Sequence, residues 1–328
     1  MKFQQILVLR NPKSTNIELA DKHIREIQSL FGATPCTVLD TAPSTLQTYT
    51  TLREHKSKLG PRTLLCIAGG DGTVNRVIDF LMAEPGLSQH ARKTVLMPLW
   101  AGNANDLAHM LNGSVLRMRL PVLFKTGQIA RIYPLVCTIT DKNGHRHLYH
   151  AASYIGFGIS AAMSRAINRQ EHRSQWWNRL HLSRLVAEII TGFRILFNPD
   201  GFTMEKGGEQ YELHECSYVN GTRMGKLQPL AASLTERTFL RITVPKKDRH
   251  IMALYRWLRG SVRSRSNNAS VRKDDFATKD TIWMQCDGEP VKLGKNAQVN
   301  IRCSRMPLYV MSTRLHKANA RLARRHKK

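Results

Sequence analysis

Acidic residues are scarce in this chain: 24 Asp and Glu stand against 50 Lys and Arg in 328 residues, a formal net charge of +26. Such an excess goes far beyond what solubility asks for and implies a strongly negative partner or surface. Nucleic acid, an anionic membrane and a polyphosphate substrate all qualify. Aromatics are thin too, at 7%. No zinc-finger, basic-zipper or aromatic RNA-binding signature occurs, so no specific nucleic-acid partner is expected. No stretch approaches the ~20 apolar residues that span a bilayer. The opening Met1–Arg10 carries an apolar run shorter than the ~7–15 residues of a signal-peptide core. The expectation is a cytoplasmic protein, peripherally associated with the inner face of an anionic membrane. Six cysteines, Cys36, Cys66, Cys137, Cys216, Cys286 and Cys303, lack the paired spacing of zinc or disulfide frameworks and read as buried reduced thiols. Also missing are a lysine-containing phosphate loop, a protein-kinase signature and any internal repeat.

With 42% hydrophobic residues the chain is long enough for two domains with real cores, since single cores stop growing near ~250–300 residues. Its organising stretch is Leu64–Leu81. A short apolar run, Leu64 to Ala68, breaks at Gly69-Gly70-Asp71-Gly72-Thr73, after which Val74, Val77, Ile78 and Leu81 recur at helical intervals. This is strand, tight turn, helix. Three glycines remove the Cβ atoms that would keep a phosphate off the backbone, and the following helix adds its positive end. Asp71 could hold magnesium, Thr73 could cap the helix, and Asn75 lies close enough to reach a bound group. Taken alone, the same residues suit an ordinary strand-to-helix connection.

Around it, Phe3–Leu9 reads as a buried strand that stops at Asn11-Pro12-Lys13-Ser14, from which Asn11 and Lys13 could reach a ligand. A helix with Ala20, Ile24, Ile27 and Phe31 on one face follows, then strand Cys36–Leu39, and a helix from Ser44 to Leu59. A fourth strand, Thr94–Leu99, turns through Gly102-Asn103-Ala104-Asn105-Asp106 into another helix. Strands alternating with helices imply a parallel sheet, whose ligands bind outside the strands' carboxyl ends. That rule puts the Asn11, Gly69–Thr73 and Gly102–Asp106 turns side by side.

Beyond residue 127 alternating strands take over: Arg131–Thr140 and His147–Ile155 across an Asn143-Gly144 hairpin, then Gly201–Glu205, Glu212–Asn220, Phe239–Val244, Thr281–Cys286 and Val299–Cys303. Between them lies an amphipathic helix, Asn178–Phe197, preceded by Trp176-Trp177. It reads first as a cover for the sheet and second as an interfacial anchor. Arginines cluster at 256, 259, 263, 265 and 272, and the tail adds Arg314, Lys317, Arg321, Arg324, Arg325, Lys327 and Lys328. Gly156-Phe157-Gly158-Ile159-Ser160-Ala161 loosely imitates a dinucleotide fingerprint but sits among β-strands, so no cofactor is assigned to it. His145, His147 and His150 flank a hairpin and read as surface histidines. Asp274-Asp275 reads as local charge balance.

Cys286-Asp287-Gly288-Glu289-Pro290 closes a strand in a sharp turn. With Gly69–Thr73 and Gly102–Asp106 it completes a pattern. The chain resembles the soluble diacylglycerol kinase and bacterial lipid kinase family, whose catalytic domain is related to those of sphingosine and ceramide kinases. Asn11-Pro12-Lys13-Ser14, the GGDGT loop with Asn75, the Asn105-Asp106 segment, Ser153–Gly158, Asn220-Gly221 and Asp287-Gly288-Glu289 match it in order. GGDGT alone also occurs in NAD kinases; the later motifs select lipid kinases. The resemblance implies an α/β fold: an N-terminal, NAD kinase-like parallel-sheet nucleotide domain over residues 1–127, joined by a return segment 305–328, and a mostly antiparallel β-sandwich over 128–304. It implies ATP and Mg2+ as cofactors and a membrane lipid such as diacylglycerol as acceptor. Asn11, Lys13, Gly69, Gly70, Gly72, Thr73, Asn75, Gly102 and Asn105 would hold ATP. Asp71, with Asp287, would organise magnesium, Asp106 would contact the acceptor or metal, and Glu289 would accept the hydroxyl's proton. The family pattern departs at Asn103, at Met224-Gly225-Lys226 and at Arg237-Thr238. The last of these puts an accessory structural metal in doubt. The other readings open at this point are a soluble-acceptor kinase and a non-catalytic membrane- or nucleic-acid-binding relative.

Overall fold

The computed structural model describes residues 3–41, 44–102, 105–113, 120–173, 201–221, 234–246 and 268–315. Asn103, Trp176-Trp177, the helix expected at Asn178–Phe197, Met224-Gly225-Lys226, the arginines at 256, 259, 263 and 265, and the tail beyond Leu315 lie outside the described residues. The chain forms two compact units. One contains Met1–Pro134, Leu234–Glu236 and Ser304–Lys328, the other Leu135–Ser233 and Arg237–Cys303.

In the first unit, β1 (Gln5–Arg10), β2 (Cys36–Asp40), β3 (Thr63–Ala68), β4 (Val95–Pro98), β5 (Gln128–Ile132) and β17 (Leu308–Ser312) make a six-stranded sheet ordered β2-β1-β3-β4-β17-β5. Every neighbouring pair is parallel except β17 with β5. Both faces of a parallel sheet are covered, so its strands read as unbroken apolar runs. β3 and β4 are accordingly buried at every residue. Ile6, Val8, Leu64, Cys66, Val95 and Met97 share one cluster with Ala20, Ile24 and Ile27 of α1 (Ile17–Leu30) and with Leu120 and Leu123 of α5 (Leu120–Thr126). Phe31 meets Phe124 edge-on at 4.6 Å. Leu7, Leu9, Leu65, Ile67 and Leu96 point to the opposite face and are equally buried. α2 (Thr45–Glu54) and α3 (Asp71–Ala83) pack together through Tyr49 on Phe80.

α2 is shorter than the periodicity suggests. It starts at its Ser44 cap, whose hydroxyl accepts from the Gln47 N–H at 3.1 Å. It stops at Glu54, where the His55 ring turns back to the Thr51 carbonyl at 2.9 Å, and a 3-10 turn, Lys56–Lys58, follows. The strand expected over Arg131–Thr140 is two strands, β5 and β6 (Leu135–Thr140), because Pro134 has no N–H with which to continue a ladder.

The second unit is one antiparallel sheet of eleven strands, along β15-β14-β8-β10-β9-β13-β16-β6-β7 with β11 and β12 branching from β10. Its strands are β6, β7 (Arg146–Ala151), β8 (Tyr154–Gly158), β9 (Phe202–Lys206), β10 (Glu209–Val219), β11 (Phe239–Pro245), β12 (Asn268–Val271), β13 (Lys273–Thr278), β14 (Ile282–Cys286), β15 (Glu289–Leu293) and β16 (Gln298–Cys303). The sheet folds over itself. The Cys137 Sγ of β6 lies 3.8 Å from the Met284 Sδ of β14, and Phe157 of β8 meets Phe276 of β13 edge-on. α6 (Ile159–Arg173) packs on β8, β10, β14 and β15. The expected strand His147–Ile155 is broken at Ala152-Ser153, whose amides bond to Asp287 instead of a neighbouring strand. β13, unforeseen in the sequence, carries the buried Asp274.

Candidate active site

Parallel pairing aligns the carboxyl ends of the first unit's strands: Arg10 lies opposite Ala68 and Ile67 opposite Pro98. The loops that follow β1, β3 and β4 therefore leave the sheet at one edge, and side chains knit them together. Asn11 is buried and its Nδ2 donates to the Thr73 hydroxyl at 3.2 Å. Its Oδ1 accepts the Lys13 N–H at 3.1 Å, which closes the turn; Lys13 itself is exposed.

α3 begins at Asp71 with Gly70 as its cap residue and no side-chain cap. Thr73, expected to cap it, is instead the helix's third residue and is engaged by Asn11, because the helix starts three residues earlier than such a cap requires. Asp71 reaches the next loop. Its Oδ2 accepts the Asn105 N–H at 2.8 Å and its Oδ1 the Asp106 N–H at 2.9 Å. It thus supplies the acceptor that starts α4 (Asp106–Asn112). Asn105 is left-handed at φ 52° and folds its amide onto Gly102, accepting from that N–H at 2.8 Å and donating to that carbonyl at 2.7 Å. Asn16, which the sequence reading passed over, donates to the same carbonyl at 2.9 Å. The two glycine loops touch backbone to backbone: a Cβ on Gly102 would lie 2.4 Å from the Gly70 Cα. On Gly69, a Cβ would meet the Thr73 side chain at 2.5 Å.

These residues suit a nucleotide. The glycine loops pack so closely that a Cβ on Gly69 or Gly102 would clash, the start of α3 carries no side-chain cap, and the buried Asn75 Oδ1 has no hydrogen-bond partner among the described residues. They suit a protein-held metal less well. Both Asp71 oxygens already accept backbone N–H groups, and the described residues contain no cluster of three or more metal-ligating side chains. Magnesium there would depend chiefly on phosphate and water oxygens, as its chemistry permits. Asp106 is buried at the first position of α4.

In the second unit, Asp287-Gly288 is the two-residue loop between β14 and β15. Cys286 pairs with Glu289, and both loop residues have positive φ, 45° and 91°. This is the type I′ hairpin geometry that Asp-Gly favours. The Asp287 carboxylate accepts three consecutive amides: Ala152 at 2.5 Å, Ser153 at 3.0 Å and Tyr154 at 2.9 Å. Those bonds make Asp287 a brace for the turn. Asn220 joins the same knot, donating from its backbone to the Ser153 carbonyl at 2.7 Å and from its side chain to the Ala152 carbonyl at 3.2 Å. Glu289 follows the turn, partly exposed, as the first residue of β15.

Two acids are buried in the strands of this unit. Glu215 is fully buried; burial pushes its carboxyl up to about 7, against the lowering pull of hydrogen bonds from Ser160 and Ser217. Asp274 is raised by burial too, but Lys206, Tyr218 and Arg241 outweigh that and hold it below the ordinary range. Glu215 stands between His214 and Cys216 in β10, and Asp274 between Lys273 and Asp275 in β13. Their partners come from distant positions, so no local signal marks them. The fingerprint-like Gly156–Ala161 does form a strand-to-helix turn, yet Glu215 already fills that helix's N-terminus. His145 pairs with Asp141 at 3.3 Å on the surface.

Residues 5–126 match the family described as the diacylglycerol kinase catalytic domain, so the resemblance carried by the N-terminal motifs holds over that span. Three solved structures of proteins from Bacillus anthracis str. Sterne share the fold. One, described as a diacylglycerol kinase, is 18% identical with a TM-score of 0.61, covering 92% of this chain and 94% of its own. Two others, provisionally assigned as diacylglycerol kinases, are 18% and 17% identical with TM-scores of 0.64 and 0.62. Each covers 92% of this chain and 95% of its own. No curated protein matches the sequence.

Proposed function

We propose that this chain, whose residues 5–126 match the diacylglycerol kinase catalytic domain family, transfers the γ-phosphoryl group of ATP to a hydroxyl of a membrane lipid such as diacylglycerol. The observation that carries the reading is the Asp71 carboxylate bridging the GGDGT loop to the Asn105-Asp106 amides. It fixes two glycine loops against each other at the end of a parallel sheet, where such folds bind ligands.

In this reading Gly69, Gly70, Gly72 and Thr73 present the start of α3 to the phosphates, with Gly102 and Asn105 as the facing wall. Asn11 holds Thr73 in place, Asn75 offers its unpartnered oxygen, and exposed Lys13 supplies positive charge. Asp71 keeps the cradle in shape. Asp106 orients the acceptor hydroxyl and Glu289 takes its proton as the oxygen bonds to the γ-phosphorus and the bond to the bridging oxygen breaks. Magnesium, when bound with the nucleotide, would neutralise phosphate charge. Such a transfer asks for positioning and charge neutralisation plus one group to orient or deprotonate the hydroxyl.

The +26 balance supports docking on an anionic cytoplasmic bilayer surface, where each basic residue is worth ~1 kcal/mol. No helix among the described residues is long and apolar enough to cross a membrane. The test is incubation of purified protein with labelled ATP and mixed-lipid vesicles. A labelled lipid is expected, together with sedimentation on anionic vesicles that weakens as salt rises. Phosphorylation of a soluble acceptor without vesicles, or vesicle binding with no ATP consumption, would replace this reading.

A further inference from the structure

The turn that presents Glu289 is held by a helix as well as by its own strands. α6 starts at Ile159, and a helix N-terminus attracts negative charge. Here an internal carboxyl takes that place. Glu215 Oε2 accepts the Ser160 N–H at 2.8 Å, and its Oε1 accepts the hydroxyls of Ser160, at 2.6 Å, and of Ser217. A bulge between Leu213 and Glu215 in the β10–β11 ladder marks this point. One turn along α6 the Ser164 hydroxyl donates to the Gly288 carbonyl, and the neighbouring Arg165 guanidinium lies 4.3 Å from the Trp283 ring centroid. Trp283 belongs to β14, the strand that leads into the turn.

A helical serine ordinarily bonds back to a carbonyl of its own helix. Ser164 instead reaches the residue before Glu289. The Gly288 N–H is fixed from the other side by Gln285 Oε1 at 2.8 Å, and Asp287 by the amides of Ala152, Ser153 and Tyr154. To these Ser164 adds a bond to the Gly288 carbonyl from outside the hairpin and its entering strand.

We propose that Ser164 is a positioning residue for Glu289, acting through the Gly288 carbonyl, with Glu215 anchoring the helix that carries it. The assignment rests on Glu289 as the proton acceptor. Without the hydroxyl, the Gly288 carbonyl loses this bond and the peptide that sets the Glu289 backbone is held less tightly. A shift on the order of 1 Å at a reacting group costs about 100-fold in rate.

The test compares wild type, Ser164→Ala and Ser164→Thr in the full chain with ATP and lipid vesicles, alongside hydrogen exchange of the peptide spanning residues 286–290. Ser164→Ala should lower kcat about 10- to 100-fold, leave KM for ATP and the melting temperature unchanged, and raise exchange at the turn. Ser164→Thr, which keeps the hydroxyl, should restore both readouts. Unchanged kcat and exchange in Ser164→Ala, equal losses in both variants, or a rate loss matched by a fall in melting temperature would overturn the proposal. If wild type phosphorylates no acceptor, the kinase reading fails by itself, and exchange at the turn alone decides the Ser164 contact.

Discussion

The Asp71 carboxylate carries the backbone of Asp106, accepting its N–H at 2.9 Å while the other oxygen accepts from Asn105. One side chain thereby sets the spacing between the phosphate cradle and the buried acid proposed to meet the acceptor. Asp71→Asn keeps the size but presents an NH2 to one of two N–H groups. That leaves a donor unsatisfied and costs about 1–3 kcal/mol. A melting temperature lower by several degrees and weaker ATP binding by calorimetry are the expected outcomes. An unmoved melting temperature would mean that the bridge contributes nothing to the fold.

Gly102→Ala should be worse for binding than for folding. Its Cβ would lie 2.4 Å from the Gly70 Cα, a backbone atom that can yield only by moving the loop. The two glycine loops must separate, and the cradle opens with them. A rise in KM for ATP, and a turnover loss approaching 100-fold for a displacement near 1 Å, are expected in steady-state kinetics. Gly144→Ala serves as the control, since a Cβ there meets nothing within 4 Å and only the cost of its positive φ applies.

Two neighbouring acids should separate into opposite phenotypes. Asp287→Ala strips the acceptor from three amides, at Ala152, Ser153 and Tyr154, and leaves buried donors behind. The expected loss of stability is at least about 2 kcal/mol, read by denaturant unfolding. Glu289→Gln changes a partly exposed side chain outside that knot. Stability should hold while lipid phosphorylation falls by about 10²- to 10⁴-fold, the usual contribution of a general base. A Glu289→Gln enzyme with full turnover would remove that residue from the chemistry.

What the sequence disclosed and what it hid follow from where each signal resides. The parallel sheet was legible because β3 and β4 are buried on both faces, which writes itself as unbroken apolar runs between glycine turns. The side-by-side turns followed from strand direction alone. Hidden were features whose cause lies far along the chain. β13 looks like a charged loop until Lys206, Tyr218 and Arg241 from three other strands surround Asp274. The break at Ala152-Ser153 exists because Asp287 takes the amides from 135 positions away. The same holds for Asp71, whose carboxylate accepts amides of the next loop, 34 and 35 residues on, a link that no local spacing marks.

Glu215 makes stability depend on pH in a direction opposite to that of ordinary paired carboxylates. Burial favours its protonated form, so the folded protein holds this proton up to about 7, while the unfolded chain releases it near the usual 4.5. Between those values the native state binds more protons than the unfolded state, and stability falls as pH rises. A shift of that size corresponds to a loss of about 3 kcal/mol by the time pH passes 7. The hydroxyls of Ser160 and Ser217 and the amides at the start of α6 work against it, and they keep the penalty from being larger. Glu215→Gln removes the titration while retaining an acceptor oxygen for Ser160. Denaturant unfolding of both proteins from pH 5 to pH 8 should show the stability difference moving toward the variant by up to about 3 kcal/mol. The movement should be complete shortly above pH 7. A difference constant across that range would show that the Glu215 carboxyl titrates alike in the folded and unfolded chains, and that the hydroxyls and helix amides balance its burial.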